Sequence, residues 1–250
     1  AWHSFAGGQE TAAFSGMCGT GALSGRMTFV PPAPRPYRPP TEPYLDVVHQ
    51  DDDLLVINKP SGLLSVPGKR EGLQDCVASR AAERYPGARV VHRLDMDTSG
   101  ILALAMSSAA HRHLGLQFER RHVSKTYVAR VQGHMGGDEG TIDLPLRCDW
   151  PNRPKQMVDP IEGRKAVTHY KVLSRDDDGT TRVELYPVTG RSHQLRVHLL
   201  SLGHPILGDT LYATGDALHA APRLQLHAER LELHHPQGGE RITYRAPVPF

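Results

Sequence analysis

Val90-Val91-His92-Arg93-Leu94-Asp95-Met96-Asp97-Thr98-Ser99-Gly100-Ile101-Leu102-Ala103-Leu104-Ala105-Met106 is the stretch on which the fold turns. Val90-Val91 and Ile101–Met106 are strand-like, and His92 to Gly100 between them holds one arginine and two carboxylates. The pattern continues outward. Upstream, Leu45–His49 and Leu54–Asn58 flank the acidic turn Asp51-Asp52-Asp53 and read as a hairpin. A turn-rich loop follows, from Lys59-Pro60-Ser61-Gly62 to Pro67-Gly68. Leu73 to Tyr85 has helical spacing, with Cys76, Val77, Ala81 and Ala82 on one side, and ends near Pro86-Gly87. Downstream, Ser107–Val123 reads as a helix whose Leu114 and Phe118 face the core. Tyr127–Val131 alternates as a strand, and Val167–Leu173 and Arg182–Tyr186 bracket a second acidic turn, Asp176-Asp177-Asp178-Gly179. Ser192 is placed to cap a helix reaching about Ser201, with Leu195, Leu199 and Leu202 on one face. Leu224–Leu233 and Ile242–Arg245 are again strand-like. Strands and hairpins interrupted by helices, without strict βαβ alternation, predict an α+β fold around a mixed, largely antiparallel sheet.

The 250 residues are 39% hydrophobic and 22% charged, which excludes collagen, coiled coil and wholesale disorder. The longest aliphatic run, Ile101–Met106, is far short of the roughly 20 residues a membrane-spanning helix needs. Cys18, Cys76 and Cys148 are too few and too scattered for a disulfide framework or a zinc cage, so a soluble protein of a reducing compartment is expected. Residues 1–40 differ from the rest, with six Gly in the first 25 positions and six Pro between Pro31 and Pro40. They read as a disordered tail or a misassigned start, with no secretory signal. Gly19-Thr20-Gly21 and Gly25 lack the spacing of a dinucleotide loop. Residues 41–250 read as one catalytic domain.

The net charge of +2 lies entirely in residues 1–40, so the domain as a whole does not advertise a polyanion partner. Local clusters do. Arg112 to Arg130 holds five Lys/Arg and one acid, and Arg147 to Lys171 holds six against three acids. Such clustering suits phosphates, because exposed charge is screened within about 8–10 Å. Solvated helix and strand faces would look the same.

The chain carries no phosphate loop with Lys-Ser/Thr, no His-Glu-x-x-His, no Cys-x-x-Cys and no Gly-x-Ser-x-Gly. Its 15 histidines form no pair at a metal spacing; His193 and His198 are five apart. Three constellations remain. In His92–Gly100, a carboxylate at a strand end can serve as a nucleophile or base on a rigid scaffold. Equally, Asp97 and Thr98 can cap the turn while Asp95 forms an ordinary ion pair. In Thr189–His198, Arg191 precedes the predicted helix, where an anion is favoured. Arg196 flanks the apolar stripe and, if buried, needs a carboxylate; Asp95 is one candidate. In Lys125-Thr126-Tyr127, the tyrosine offers a ring to stack on a base and a phenol to move a proton, or is plain core.

Taken together, five segments occur in one order: Asn58-Lys59-Pro60-Ser61-Gly62, His92-Arg93-Leu94-Asp95, Lys125-Thr126-Tyr127, Thr189-Gly190-Arg191-Ser192-His193-Gln194-Leu195-Arg196 and Gly203-His204-Pro205-Ile206-Leu207-Gly208-Asp209. In this order they resemble the RluA family of pseudouridine synthases, over about residues 41–250. Leu63–Gly68 and Cys148–Gln156 resemble the short members of dual specificity, which act on large-subunit rRNA and the tRNA anticodon stem-loop and lack an S4-type domain. Met96 stands where the family commonly has a basic or other residue.

The resemblance implies a pseudouridine synthase fold with a central RNA-binding cleft. It makes Asp95 the catalytic aspartate, Tyr127 the active-site tyrosine and Arg196 the arginine paired with Asp95, keeping it charged and aimed. Arg93 would fill the gap left by a flipped nucleotide. His92, Arg191, Lys125, Arg120, Arg121, Arg153 and Lys155 would hold RNA. The implied reaction is isomerisation of uridine to pseudouridine in 23S rRNA and the tRNA anticodon stem-loop, with no cofactor and no metal. The implied protein is a cytoplasmic monomer with RNA as its partner, no membrane and no obligate protein partner. Three other readings stay open: a paralogue restricted to one rRNA loop, a non-catalytic RNA-binding module, and a base-releasing hydrolase using Asp95 and Asp97.

Overall fold

Leu54-Leu55-Val56-Ile57 and Ile101–Ala105 are apolar at every position because both faces of their strands are covered. The computed structural model describes residues 36–250. In chain order the elements are β1 (Val47–Gln50), β2 (Leu54–Lys59), α1 (Val77–Arg84), β3 (Arg89–Val90), β4 (Ser99–Ala105), α2 (Ser108–Glu119), β5 (Ser124–Gln132), β6 (Glu139–Asp143) and β7 (Leu146–Cys148). A 3-10 turn at Trp150–Asn152 leads to β8 (Gln156–Val158), β9 (Val167–Arg175), β10 (Thr180–Pro187), α3 (Gln194–Ser201), α4 (Gly215–His219), β11 (Leu226–His234) and β12 (Arg241–Arg245). No helix is long and apolar enough to cross a membrane among the described residues.

Ten strands form one sheet in the order β1-β2-β4-β11-β5-β10-β9-β6, with β12 beside β11 and β3 beside β4. Among the described residues, only β4 and β11 run parallel, through Ser99↔His227 and Gly100↔Ala228. The expected mixed, largely antiparallel α+β fold is what the chain adopts, with β7 and β8 as a separate hairpin.

Helices cover the two faces unequally. On one face, Ala110, Leu114 and Phe118 of α2 pack on Leu54, Val56, Ile101, Ala103, Leu231 and Leu233. On the other, Val77 and Ala81 of α1 pack on Leu55, Ile57, Leu102 and Leu104. Further along, Leu195 and Leu199 of α3 pack on Ala129, Val131, Val183 and Leu185. Tyr127 touches both of these last two clusters. The seam between them is where the polar site lies.

Local chemistry shifts several predicted boundaries. α1 begins at Val77 rather than Leu73, because Cys76 caps it: the Ser79 amide donates to Cys76 Sγ, and the Cys76 amide donates to Ser79 Oγ at 2.9 Å. α2 stops at Glu119, since Arg121 takes a left-handed φ of 61° that a helix cannot continue through. Ser192 does not cap α3. His193 occupies that position with φ 52°, and no side chain caps the helix. Gln194 supplies order instead. Its Oε1 accepts from the Arg191 amide and Thr189 Oγ1, and its Nε2 donates to Val167 O and Thr168 Oγ1. β6 has one buried apolar residue, Ile142, and its Gly140 lies against the Tyr170 ring, so no alternation marks it.

The predicted tail ending at residue 40 lies outside the described residues up to 35, together with its Gly19–Gly25 stretch. Its last residues are held by the domain. Tyr37 Oη donates to Asp75 O at 2.8 Å, and Pro40 O accepts from Arg80 Nη2 at 2.8 Å. The compact unit is Tyr37–Phe250, so its edge precedes position 41.

Candidate active site

Asp95 sits in the loop between β3 and β4, and the segment after β2 fixes that loop by its backbone. The Gly62 amide and Lys59 Nζ both donate to Met96 O, at 2.9 and 2.8 Å. Ser61 Oγ donates to Asp97 O at 2.7 Å. Ser65 Oγ donates to Leu94 O at 2.7 Å and accepts from the Leu94 amide at 3.1 Å. The loop's carbonyls are thus used up on one side, and the Asp95 carboxylate is free to serve the other. Lys59 also donates to Pro60 O and Leu63 O. Burial lowers its pKa to about 7, against the opposing pull of Asp97 and Asp95. Burial likewise raises the pKa of Asp97.

Arg196 projects from α3 and is almost wholly buried. Its Nε and Nη2 donate to both carboxylate oxygens of Asp209, at 2.8 and 2.6 Å. Its Nη1 lies 3.6 Å from Asp95 Oδ2. The side chains of Arg196 and Asp209 are 2% and 1% exposed, whereas that of Asp95 is 27% exposed. The sequence offers Asp95 as the partner that a buried arginine needs. The structure gives the main partnership to Asp209 and leaves Asp95 a single longer contact. Tyr127, on β5, lies half-buried in the field of Asp95; burial and then that charge push its phenol above the ordinary value.

The other predicted residues divide. His92 is half-buried, with its ring against the fold. Its ring stacks on Phe118 at 4.4 Å, and its Nε2 accepts the Ala103 amide at 3.0 Å. Burial, with Lys125 nearby, lowers its pKa to about 3 and keeps it neutral. Arg93, Arg120, Arg121 and Arg191 are exposed. Arg191 Nε donates to Lys165 O at 3.1 Å. Lys125 is half-buried, and burial and then Arg121 lower its pKa. Arg153 and Lys155 belong to the β7–β8 hairpin, where the Arg153 guanidinium lies 4.6 Å over the exposed Trp150 ring.

Sequence reasoning missed three contributors. Asp209 closes a matched segment but carries no signal of its own beyond the demand of Arg196 for an acid. Lys59 appears as a loop residue, and only its burial against three carbonyls marks its place. Tyr212 has no sequence signal. Among the described residues, no three His, Cys, Asp or Glu side chains are grouped to hold a metal ion. Chemically, the site offers one partly open carboxylate on the loop before β4, beside a cation from α3 and an aromatic ring from β5.

The description of the RNA pseudouridylate synthase family matches residues 53–201. The chain is 55% identical over 214 residues to the dual-specificity RNA pseudouridine synthase RluA of Salmonella typhi, covering 86% of this chain and 98% of that protein. The protein of the same name from Escherichia coli (strain K12) is also 55% identical, with the same coverage. Among solved structures, human RNA pseudouridylate synthase domain containing 1 superposes with a TM-score of 0.69 at 32% identity, over 82% of this chain and 84% of that one. The chain belongs to the RNA pseudouridylate synthase family. It is an isomerase, a pseudouridine synthase, of the RluA kind that the sequence motifs indicate.

Proposed function

We propose that this enzyme isomerises uridine in both 23S rRNA and the tRNA anticodon stem-loop, with Asp95 as its catalytic carboxylate. The relatives' dual-specificity names and the short-member motifs support the two substrates. The observation that carries the site is Asp95: a partly open carboxylate on a backbone-clamped loop, 3.6 Å from a buried guanidinium. The reaction breaks N1–C1′, turns the uracil and forms C5–C1′, with the C5 proton leaving last. Asp95 attacks C1′ or C6, or assists departure of uracilate and stabilises the positive sugar. Tyr127 stacks on the base. It helps remove the C5 proton at the end of the reaction; in the free enzyme burial, and then the charge of Asp95, keep its phenol protonated. The target leaves the stack first, at a cost of a few kcal/mol. Arg93 fills its place, while Lys125, Arg120, Arg121, Arg191, Arg153 and Lys155 hold phosphates. The enzyme acts as a cytoplasmic monomer without an obligate protein partner.

The test is tritium release from RNA labelled at uridine C5, with anticodon stem-loop and 23S rRNA transcripts run in parallel and Asp95→Asn as control. Release from both, lost in the variant, is expected. Release from one alone leaves the chemistry and rejects dual specificity. Undiminished release by Asp95→Asn removes Asp95 from the chemistry. RNA binding without release points to a non-catalytic module.

A further inference from the structure

Tyr212 packs on the apolar cluster of Leu146, Ala166 and Val197 and also meets the polar site. The Arg196 guanidinium carbon lies 5.1 Å from the centroid of its ring. His193 meets the ring edge-on, with centroids 5.6 Å apart at 85°. The Tyr212 backbone amide donates to Asp209 Oδ1 at 3.1 Å, and Asp209 is the carboxylate that grips Arg196. The phenol oxygen accepts the Gln156 amide at 2.8 Å and lies 2.7 Å from His193 Nδ1. Burial raises this phenol to about 12, so it keeps its proton. Burial lowers the pKa of His193, whose neutral ring can accept that proton at Nδ1.

These contacts join two regions that the chain order keeps apart. Gln156 opens β8, in the hairpin that carries Arg153 and Lys155. Arg196 lies over the Tyr212 ring, with its Nη1 3.6 Å from Asp95 Oδ2. A cation over a desolvated ring is held more firmly than one in water. Asp209 fixes two guanidinium nitrogens, and the ring bounds the plane in which the third must point.

We propose that Tyr212 is a positioning residue: its ring holds the Arg196 guanidinium so that Nη1 faces Asp95, and its hydroxyl ties that ring to the hairpin. This rests on the roles proposed above for Asp95 and Arg196.

The two parts separate by substitution. Tyr212→Phe keeps the ring and loses the oxygen, so KM for the anticodon stem-loop rises about fivefold while kcat stays within about twofold, as expected for one lost hydrogen bond. Tyr212→Leu loses the ring face, so kcat falls about ten- to thirtyfold. If the leucine variant does not fold, as judged by thermal melting, Tyr212→Met takes its place with the same expected loss. In an Arg196→Lys background, which keeps the charge and loses the planar fork, Tyr212→Leu changes kcat by less than about twofold, because the two act as one unit. Parental kcat in Tyr212→Leu overturns the proposal. So does an equal loss of kcat in Tyr212→Phe, or an undiminished effect of Tyr212→Leu beside Arg196→Lys. Parental kcat in Arg196→Lys alone overturns the role of Arg196, and the proposal with it.

Discussion

Arg196 gives Asp209 two hydrogen bonds of 2.8 and 2.6 Å, and gives Asp95 one contact of 3.6 Å. One guanidinium thus serves a buried structural carboxylate and the partly open one proposed to react. The short bidentate pair meets the cost of burying the cation. The long contact leaves the Asp95 carboxylate partly open to solvent.

This division predicts that the two aspartates fail differently. Asp209→Ala strands a buried cation and should cost about 3–5 kcal/mol of stability. Asp95→Asn removes only a long, partly exposed contact and should cost less than about 1 kcal/mol while abolishing turnover. Urea denaturation at pH 7 with tritium release separates them. Equal destabilisation would show that Asp95 is also structural.

Gly100 has φ 113°, and a Cβ there would lie 2.3 Å from Ala228 O across the parallel β4–β11 pair. Gly100→Ala should therefore destabilise by more than about 1 kcal/mol, since alanine resists that backbone and the neighbouring strand blocks it. A variant melting at the parental temperature would contradict the close approach.

His235, away from the site, gives a pH signature. Asp51 Oδ2 accepts from His49 Nε2 at 2.6 Å and from His235 Nε2 at 3.0 Å, joining two turns of the sheet. Burial pulls the pKa of His235 down, but the Gln237 carbonyl and then Asp51 raise it overall above 6.5. Its contribution is therefore full below about 6.5 and lost as pH rises through the folded value. His235→Ala should lose more stability at pH 5.5 than at pH 8.5. Denaturant midpoints at the two pH values check this, and a loss independent of pH would refute the linkage.

The proposed RNA contacts predict salt dependence. Arg153→Ala and Lys155→Ala should each weaken RNA binding and lower the slope of log K against log salt by about 1. An unchanged slope would remove that residue from the phosphate contacts. Arg93→Ala should leave docking intact and reduce the fluorescence rise of 2-aminopurine beside the target uridine. A full rise would deny it the gap-filling role.

Much of this was legible in the residues. Leu54–Ile57 and Ile101–Ala105 announce strands, and Leu114 and Phe118 announce a helix facing the core; that both faces of those strands are covered is seen only in the fold. Asp95, Tyr127 and Arg196 stand out because carboxylate, phenol and guanidinium sit in segments that match a known order, and the fold brings all three together. His92 shows the limit. It adjoins Arg93 in sequence, yet its ring turns inward onto Phe118, because neighbours in a turn need not share a direction. The capping of α3 shows another: Ser192 has a capping side chain, but Gln194 reaches back to satisfy the Arg191 amide.

The sequence alone determined the sheet-forming runs, a helix facing the core, and the family to which the chain belongs, because these rest on local periodicity and ordered motifs. Only the tertiary structure decided that Asp209 rather than Asp95 chiefly neutralises Arg196. It alone buried Lys59 against three carbonyls, and it alone set Tyr212 between the β7–β8 hairpin and the guanidinium. These are contacts between residues up to 56 positions apart. Their strength depends on burial and angle, which no spacing along the chain encodes.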